Sequence, residues 1–160
     1  VEEMRHRVNG IGRSIVIEIT EEEDLALEML HVKRNSKIFS GLFALDDYGS
    51  GYSNESNLIA LDPDFIKIDI SIIRGIDSDP NKQEIMRNIV SYAHQRGMQI
   101  VAEGVETAEE LRTSRALGAD LFQGYFLSRP GAVPSMIAPA ARDILREFPY
   151  IVSDKATPHN

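Results

Sequence analysis

Phe65-Ile66-Lys67-Ile68-Asp69 is a short apolar run that ends in charged side chains. Working outward, the pattern recurs on both sides. Ile15-Val16-Ile17-Glu18 and Phe43-Ala44-Leu45-Asp46-Asp47 precede it, and Ile100-Val101-Ala102-Glu103 and Leu121-Phe122-Gln123 follow it. Short apolar runs separated by helix-like segments read as parallel strands in βαβ units. Parallel strands of one sheet all end on the same side, so the acidic and amide tips are expected along one rim. Carboxylates crowded on a rim raise one another's pKa values or recruit cations. A donor set made of oxygen, with no cysteine in the chain, selects Mg²⁺, Mn²⁺ or Ca²⁺ over softer metals.

The segments between these runs carry helix signals. Thr20 with Glu23 forms a capping box, and Leu25, Met29 and Val32 follow at helical spacing to about Lys33. A short helix is expected over Glu55–Leu61. Asp79-Pro80 supplies an N-cap and a proline at the first helical position of a long helix. That helix has Ile85, Ile89, Val90 and Ala93 on its apolar face and is closed by Gly97. Thr107 with Glu110 caps another helix that ends at Gly118, and Met136–Phe148 reads as the last. The strands are predicted at Ser14–Ile19, Leu42–Asp46, Phe65–Asp69, Gln99–Ala102 and near Asp120–Gly124. Such alternation gives either an open doubly wound sheet or a (β/α) barrel. A complete eight-stranded barrel takes about 250 residues, so 160 residues with five strands imply an open sheet or part of a barrel. Residues 1–152 form one domain, and 153–160 are expected to be a disordered tail.

Composition narrows the function classes. Hydrophobic residues make up 42% and charged residues 26%, which suits a globular domain with a substantial core. No apolar stretch reaches the length of a membrane span, and the charged amino terminus does not resemble a secretory signal, so the expected location is the cytoplasm. A formal charge of −8 argues against duplex nucleic acid as a partner. It leaves room for a phosphate-bearing small ligand, because bound cations reverse the local field.

Each candidate site residue has a plain structural alternative. Asp46-Asp47 can turn toward a pair of cations if the backbone kinks, or one of the two can cap the following turn. Lys67 and Asp69, two apart on a strand, share a face. A lysine there needs a carboxylate partner, which makes the pair a structural ion pair or a functional one. Glu103-Gly104-Val105-Glu106 offers a metal ligand or general base with a supporting acid, or a polar strand-to-helix loop in which Glu106 sits beside the Thr107 cap. Glu21 lies in the first turn of a helix, where negative charge is favoured without any function. Gln123 either binds ligand or satisfies backbone groups. His6, His31, His94 and His159 show no metal-ligand spacing.

Taken together, Ile17-Glu18-Ile19-Thr20-Glu21, the run from Asp46 to Ser53, Phe65 to Asp69, Val101 to Thr107 and Gln123-Gly124-Tyr125-Phe126 resemble the ordered signature of the EAL domain family. The resemblance runs from about residue 13 to Pro130. It implies a partial TIM-type barrel that lacks the amino-terminal strands, in an α/β phosphodiesterase that hydrolyses cyclic di-GMP to linear pGpG with Mg²⁺ or Mn²⁺. It further implies that Glu18, Asp46, Asp47, Asp69 and Glu103 belong to the metal site, and that Lys67, Glu103, Glu106 and Gln123 serve catalysis. Glu21 would steady the loop from Asp47 to Asn57.

Departures from the family pattern are visible. Tyr48 and Ser50 stand where Phe and Thr are usual, Glu55 where leucine is common, and the glutamate of the Glu-Ala-Leu motif and a metal-binding asparagine would lie upstream of this sequence. The chain alone is therefore expected to be inactive. The alternatives are a non-catalytic module binding the nucleotide or a protein, a homodimer assembled through unpaired strand edges, and a different metal-dependent barrel enzyme resembling the enolase group.

Overall fold

The structure, a computed structural model, describes residues 16–20, 42–50, 58–59, 61–133 and 135–147. Five strands, β1 (Val16–Thr20), β2 (Leu42–Tyr48), β3 (Phe65–Ile68), β4 (Gln99–Ala102) and β5 (Leu121–Phe122), form one sheet in the order β1-β2-β3-β4-β5. Every neighbouring pair is parallel. A doubly wound sheet reverses its strand order at a switch point, and this one does not. Sequential parallel order is that of an arc of a (β/α) barrel, which decides between the two architectures left open by the sequence.

Parallel strands covered on both faces read as continuous apolar runs. Phe43, Ala44 and Leu45 of β2, Ile66 and Ile68 of β3, and Ile100 and Ala102 of β4 are all buried. Between β3 and β4 lie α1 (Ile70–Ile73) and α2 (Pro80–Gln95). The helix α3 (Ala108–Ala116) joins β4 to β5, and α4 (Pro139–Glu147) follows. The start of α2 is as expected: the Asp79 carboxylate accepts from the Asn81 and Lys82 amides, and Pro80 occupies the first turn. Its end is Gly97 at φ 77°, a left-handed cap that glycine adopts without strain. Thr107 and Glu110 form the reciprocal capping box of α3.

Several boundaries differ from expectation. β2 runs on through Asp46 and Asp47 to Tyr48, and β3 stops one residue short because Asp69 caps α1. The helix α1 is only four residues long, too short to show a helical period in sequence. On α2 the buried stripe is Met86, Ile89, Val90 and Ala93, while Ile85 is exposed. Positions 86, 89, 90 and 93 follow the i, i+3, i+4, i+7 spacing of one face, and 85 falls beside it. β5 is confined to Leu121–Phe122, and α4 starts at Pro139, with Met136 and Ile137 exposed ahead of it. Leu58, Ile59 and Leu61 of the short expected helix are helical. The rest of that helix, the capping box at Thr20–Glu23 with its helix, Glu21 and the tail lie outside the described residues. Among the described residues, no helix is long and apolar enough to cross a membrane.

Candidate metal centre

The local backbone of β2 creates the centre. On a regular strand, adjacent side chains point to opposite faces, so Asp46 and Asp47 could not share one site. The pairing of β2 with β3 slips between Leu45 and Tyr48, where β2 holds one more residue than its partner. Asp47 sits at φ 55°, in the left-handed region. That combination is a bulge, which re-aims side chains where a strand ends. Through it, one carboxylate oxygen from each of Asp46, Asp47 and Glu103 comes within 4.8 Å of the others.

Lys67 projects from β3 into the same place. Its ammonium lies 2.7 Å from Asp46 Oδ1, 3.0 Å from Glu103 Oε1 and 3.2 Å from Glu18 Oε2. Its side chain is 10% exposed, against 17% for Asp46, 15% for Glu103 and 54% for Glu18. Burial pulls the lysine toward neutrality, but hydrogen bonds to Asp46 and Glu103, the Glu103 charge and the bond to Glu18 outweigh it and hold the group well above its ordinary value. For Glu103, burial is the largest influence and pushes its carboxyl up. Lys67 opposes this, while the charges of Asp46 and Asp47 add to it. One ammonium thus faces more carboxylates than it can neutralise. A hard divalent cation fits this all-oxygen donor set.

The other predicted residues are placed elsewhere on the rim. One Asp69 carboxylate oxygen accepts the Ser71 amide at 2.9 Å and caps α1, and Asp69 is not a member of the three-carboxylate group. Glu106 is paired with Arg74, whose guanidinium holds its carboxyl below the ordinary range. Gln123 is exposed and, with Ile70, Gly104, Glu106, Gly124, Tyr125, Ser128 and Pro130, lines a cavity of about 320 Å³. Two participants went unnoticed in sequence. Arg74 lies 32 residues from Glu106, beyond any local spacing rule. Glu110, read there only as half of a capping box, is 2% exposed and accepts three backbone amides, from Gly75, Glu106 and Thr107.

Residues 2–130 match the EAL domain family. Among curated relatives, cyclic di-GMP phosphodiesterase PdeL of Escherichia coli is 37% identical over 132 residues, covering 77% of this chain and 35% of PdeL. Cyclic di-GMP phosphodiesterase TpdA of Vibrio parahaemolyticus is 33% identical over 116 residues, covering 71% of this chain and 20% of TpdA. The chain thus spans about a third or less of the length of these relatives. Among solved structures, the manganese and cyclic di-GMP complex of Klebsiella pneumoniae BlrP1 superposes with a TM-score of 0.71 at 32% identity, covering 81% of this chain and 34% of that one. A standalone EAL protein of Vibrio cholerae, in its c-di-GMP-bound form, gives 0.74 at 30% identity, covering 88% and 61%. The sheet order, the rim of carboxylates and the family match agree: the chain belongs to the EAL domain family.

Proposed function

We propose that these residues form the carboxylate side of a metal-dependent site that hydrolyses cyclic di-GMP to linear pGpG. The observation that carries the reading is the convergence of Asp46, Asp47 and Glu103, with the Lys67 ammonium on Asp46 and Glu103, at the carboxyl ends of parallel strands, the face on which barrel enzymes place their chemistry. The names of PdeL and TpdA and the bound ligands of BlrP1 supply the substrate class and the divalent metal. Asp46, Asp47, Glu103 and Glu18 would hold Mg²⁺ or Mn²⁺. A cation bound there would activate a water and offset charge on the phosphoryl oxygens.

The chain's own groups have distinct tasks. Lys67, bonded to Asp46, Glu103 and Glu18, would present a positive charge toward a water or phosphoryl oxygen. Glu103, beside Lys67 and both aspartates, would serve as a metal ligand or take the proton from the attacking water. One of the two phosphodiester linkages opens, leaving a linear dinucleotide with a 5′-phosphate and a free 3′-hydroxyl. Asp69 shapes the rim by starting α1, while Glu106 and Gln123 form a wall of the adjoining cavity.

The five strands among the described residues make an arc, whereas closure of this kind of barrel takes about eight. The 160 residues by themselves therefore bind metal without turning substrate over, and they act in the cytoplasm as part of a closed barrel that pairs with a second copy. The test is pGpG formation from cyclic di-GMP with Mn²⁺, measured for the chain and for a chimaera in which it completes the barrel of PdeL. A chimaera that forms pGpG and loses the activity on Lys67→Ala or Glu103→Gln supports the reading. A chimaera that folds and binds the nucleotide without hydrolysing it assigns these residues to a binding module instead.

A further inference from the structure

The loop that follows Glu103 is held from outside the metal centre. Three contacts tie residues 103–107 to the segment 69–75. The Arg74 guanidinium pairs with the Glu106 carboxylate. Glu110 Oε1 accepts the Gly75 amide at 3.0 Å, while its other oxygen accepts the Glu106 amide at 2.8 Å and the Thr107 amide at 3.2 Å. Gly104, at φ 67°, lies so close to Ile70 that a β-carbon there would stand 2.9 Å from the Ile70 Cβ. The carbonyl of Arg74 is in turn held by Lys82 Nζ at 2.6 Å. The segment 69–75 begins at the Asp69 cap, two residues beyond Lys67. A continuous set of contacts therefore runs from the strand that carries Lys67 to the loop that carries Glu103 and Glu106.

Glu106, Gly104 and Ile70 also line the cavity beside Gln123 and Tyr125. Among the described residues, Arg74 is the cation paired with the Glu106 carboxylate at that wall, and the charge of Arg129 also acts on it. Without Arg74, Glu110 would hold the Glu106 and Thr107 amides alone. The two attachments thus share the loop: Glu110 accepts its backbone amides and Arg74 anchors it through the Glu106 carboxylate, so that loss of either loosens it.

We propose that Arg74 is a positioning residue, which acts through Glu106 to hold the 103–107 loop and one wall of the adjoining cavity in place for ligand. The part of this that concerns nucleotide rests on the phosphodiesterase reading; the part that concerns the loop does not. Arg74 and Glu106 are both partly exposed, so substitution leaves the core intact.

The experiment is amide hydrogen exchange on the 160-residue chain, with cyclic di-GMP binding measured by calorimetry in Ca²⁺. Arg74→Ala is expected to speed exchange at Glu106 and Thr107 at least about fivefold, and to weaken cyclic di-GMP binding about three- to tenfold. The amide of Ile100, held by Asp120 at the other end of the sheet, keeps its wild-type rate. Arg74→Lys restores most of both effects, because the charge is kept. In a Glu106→Gln background, Arg74→Ala adds nothing further, since residues acting through one contact are not additive. Unchanged exchange at Glu106 and Thr107 in Arg74→Ala, or an equal effect of Arg74→Ala with and without Glu106, would overturn the proposal. Loss of protection without any cyclic di-GMP binding by the parent chain leaves Arg74 as the positioning residue of the loop and overturns its part in holding nucleotide on this chain.

Discussion

Aspartates stand at both ends of this sheet, and the two ends treat them differently. At the amino-terminal ends of β3 and β5, Asp64 Oδ2 accepts the Phe43 amide at 2.8 Å and Asp120 Oδ2 accepts the Ile100 amide at 2.7 Å. Asp120 is also 3.0 Å from His94 Nε2. Each of these acids stitches a neighbouring strand through a backbone amide. At the carboxyl-terminal ends, Glu18, Asp46 and Glu103 share one ammonium, with Asp47 beside them. An isolated carboxylate with a backbone donor contributes to stability. Several carboxylates competing for one cation hold surplus negative charge that favours binding a cation. The contrast matches the usual division of a barrel into a stability face and a functional face.

The largest effect in breaking this contrast is expected at Lys67. In Lys67→Met without metal, the buried carboxylates lose their counter-charge, and stability falls by about 3–5 kcal/mol, the cost of leaving one side of a buried pair unmatched. Mn²⁺ restores much of the lost melting temperature and raises it more than in the parent chain. Thermal unfolding with and without Mn²⁺ checks both statements. Next comes Asp64→Ala, which removes the charged acceptor of the Phe43 amide at a cost of about 1.5–3 kcal/mol, the contribution of a hydrogen bond to a charged group. Denaturant unfolding reads that loss, and Mn²⁺ affinity stays at the parent value.

Asp47→Val is expected to cost about 1–2 kcal/mol, because a β-branched side chain at φ 55° is strained where Asp or Asn is tolerated. Asp47→Asn keeps the stability and weakens Mn²⁺ binding, so a titration of both variants separates backbone from ligand. The smallest effect is a pH dependence. Burial raises the Glu103 carboxyl in the folded state, so the fold binds a proton there more readily than the unfolded chain does. Stability of the metal-free chain therefore declines as pH rises from the ordinary carboxylate range through the raised value. In Glu103→Gln that component of the profile disappears, as chemical unfolding across pH would register.

The carboxyl-terminal rim was largely legible in sequence because its residues end apolar runs, and a parallel sheet gathers strand ends. Asp46, Asp47, Lys67 and Glu103 could be named from that alone. The kink that brings Asp46 and Asp47 together could be stated only as a condition, since nothing in Leu45-Asp46-Asp47-Tyr48 signals a bulge. Asp69 reads as a partner of Lys67 by strand alternation, yet its carboxylate caps α1, a helix too short to announce itself. The amino-terminal rim was illegible for another reason. Asp64 and Asp120 act on backbone amides 21 and 20 residues away, and backbone donors leave no mark in sequence. The same distance in sequence hides Arg74 from Glu106.

Binding of Mn²⁺ to the chain, followed by titration calorimetry, tests most directly whether the carboxyl-terminal rim is a metal site and the amino-terminal rim is not. Saturable binding is expected, weakened at least about tenfold in Asp47→Asn and in Glu103→Gln and unchanged in Asp64→Ala. Binding by Asp47→Asn and Glu103→Gln as tight as that of the parent, or no binding by the parent at all, would contradict it.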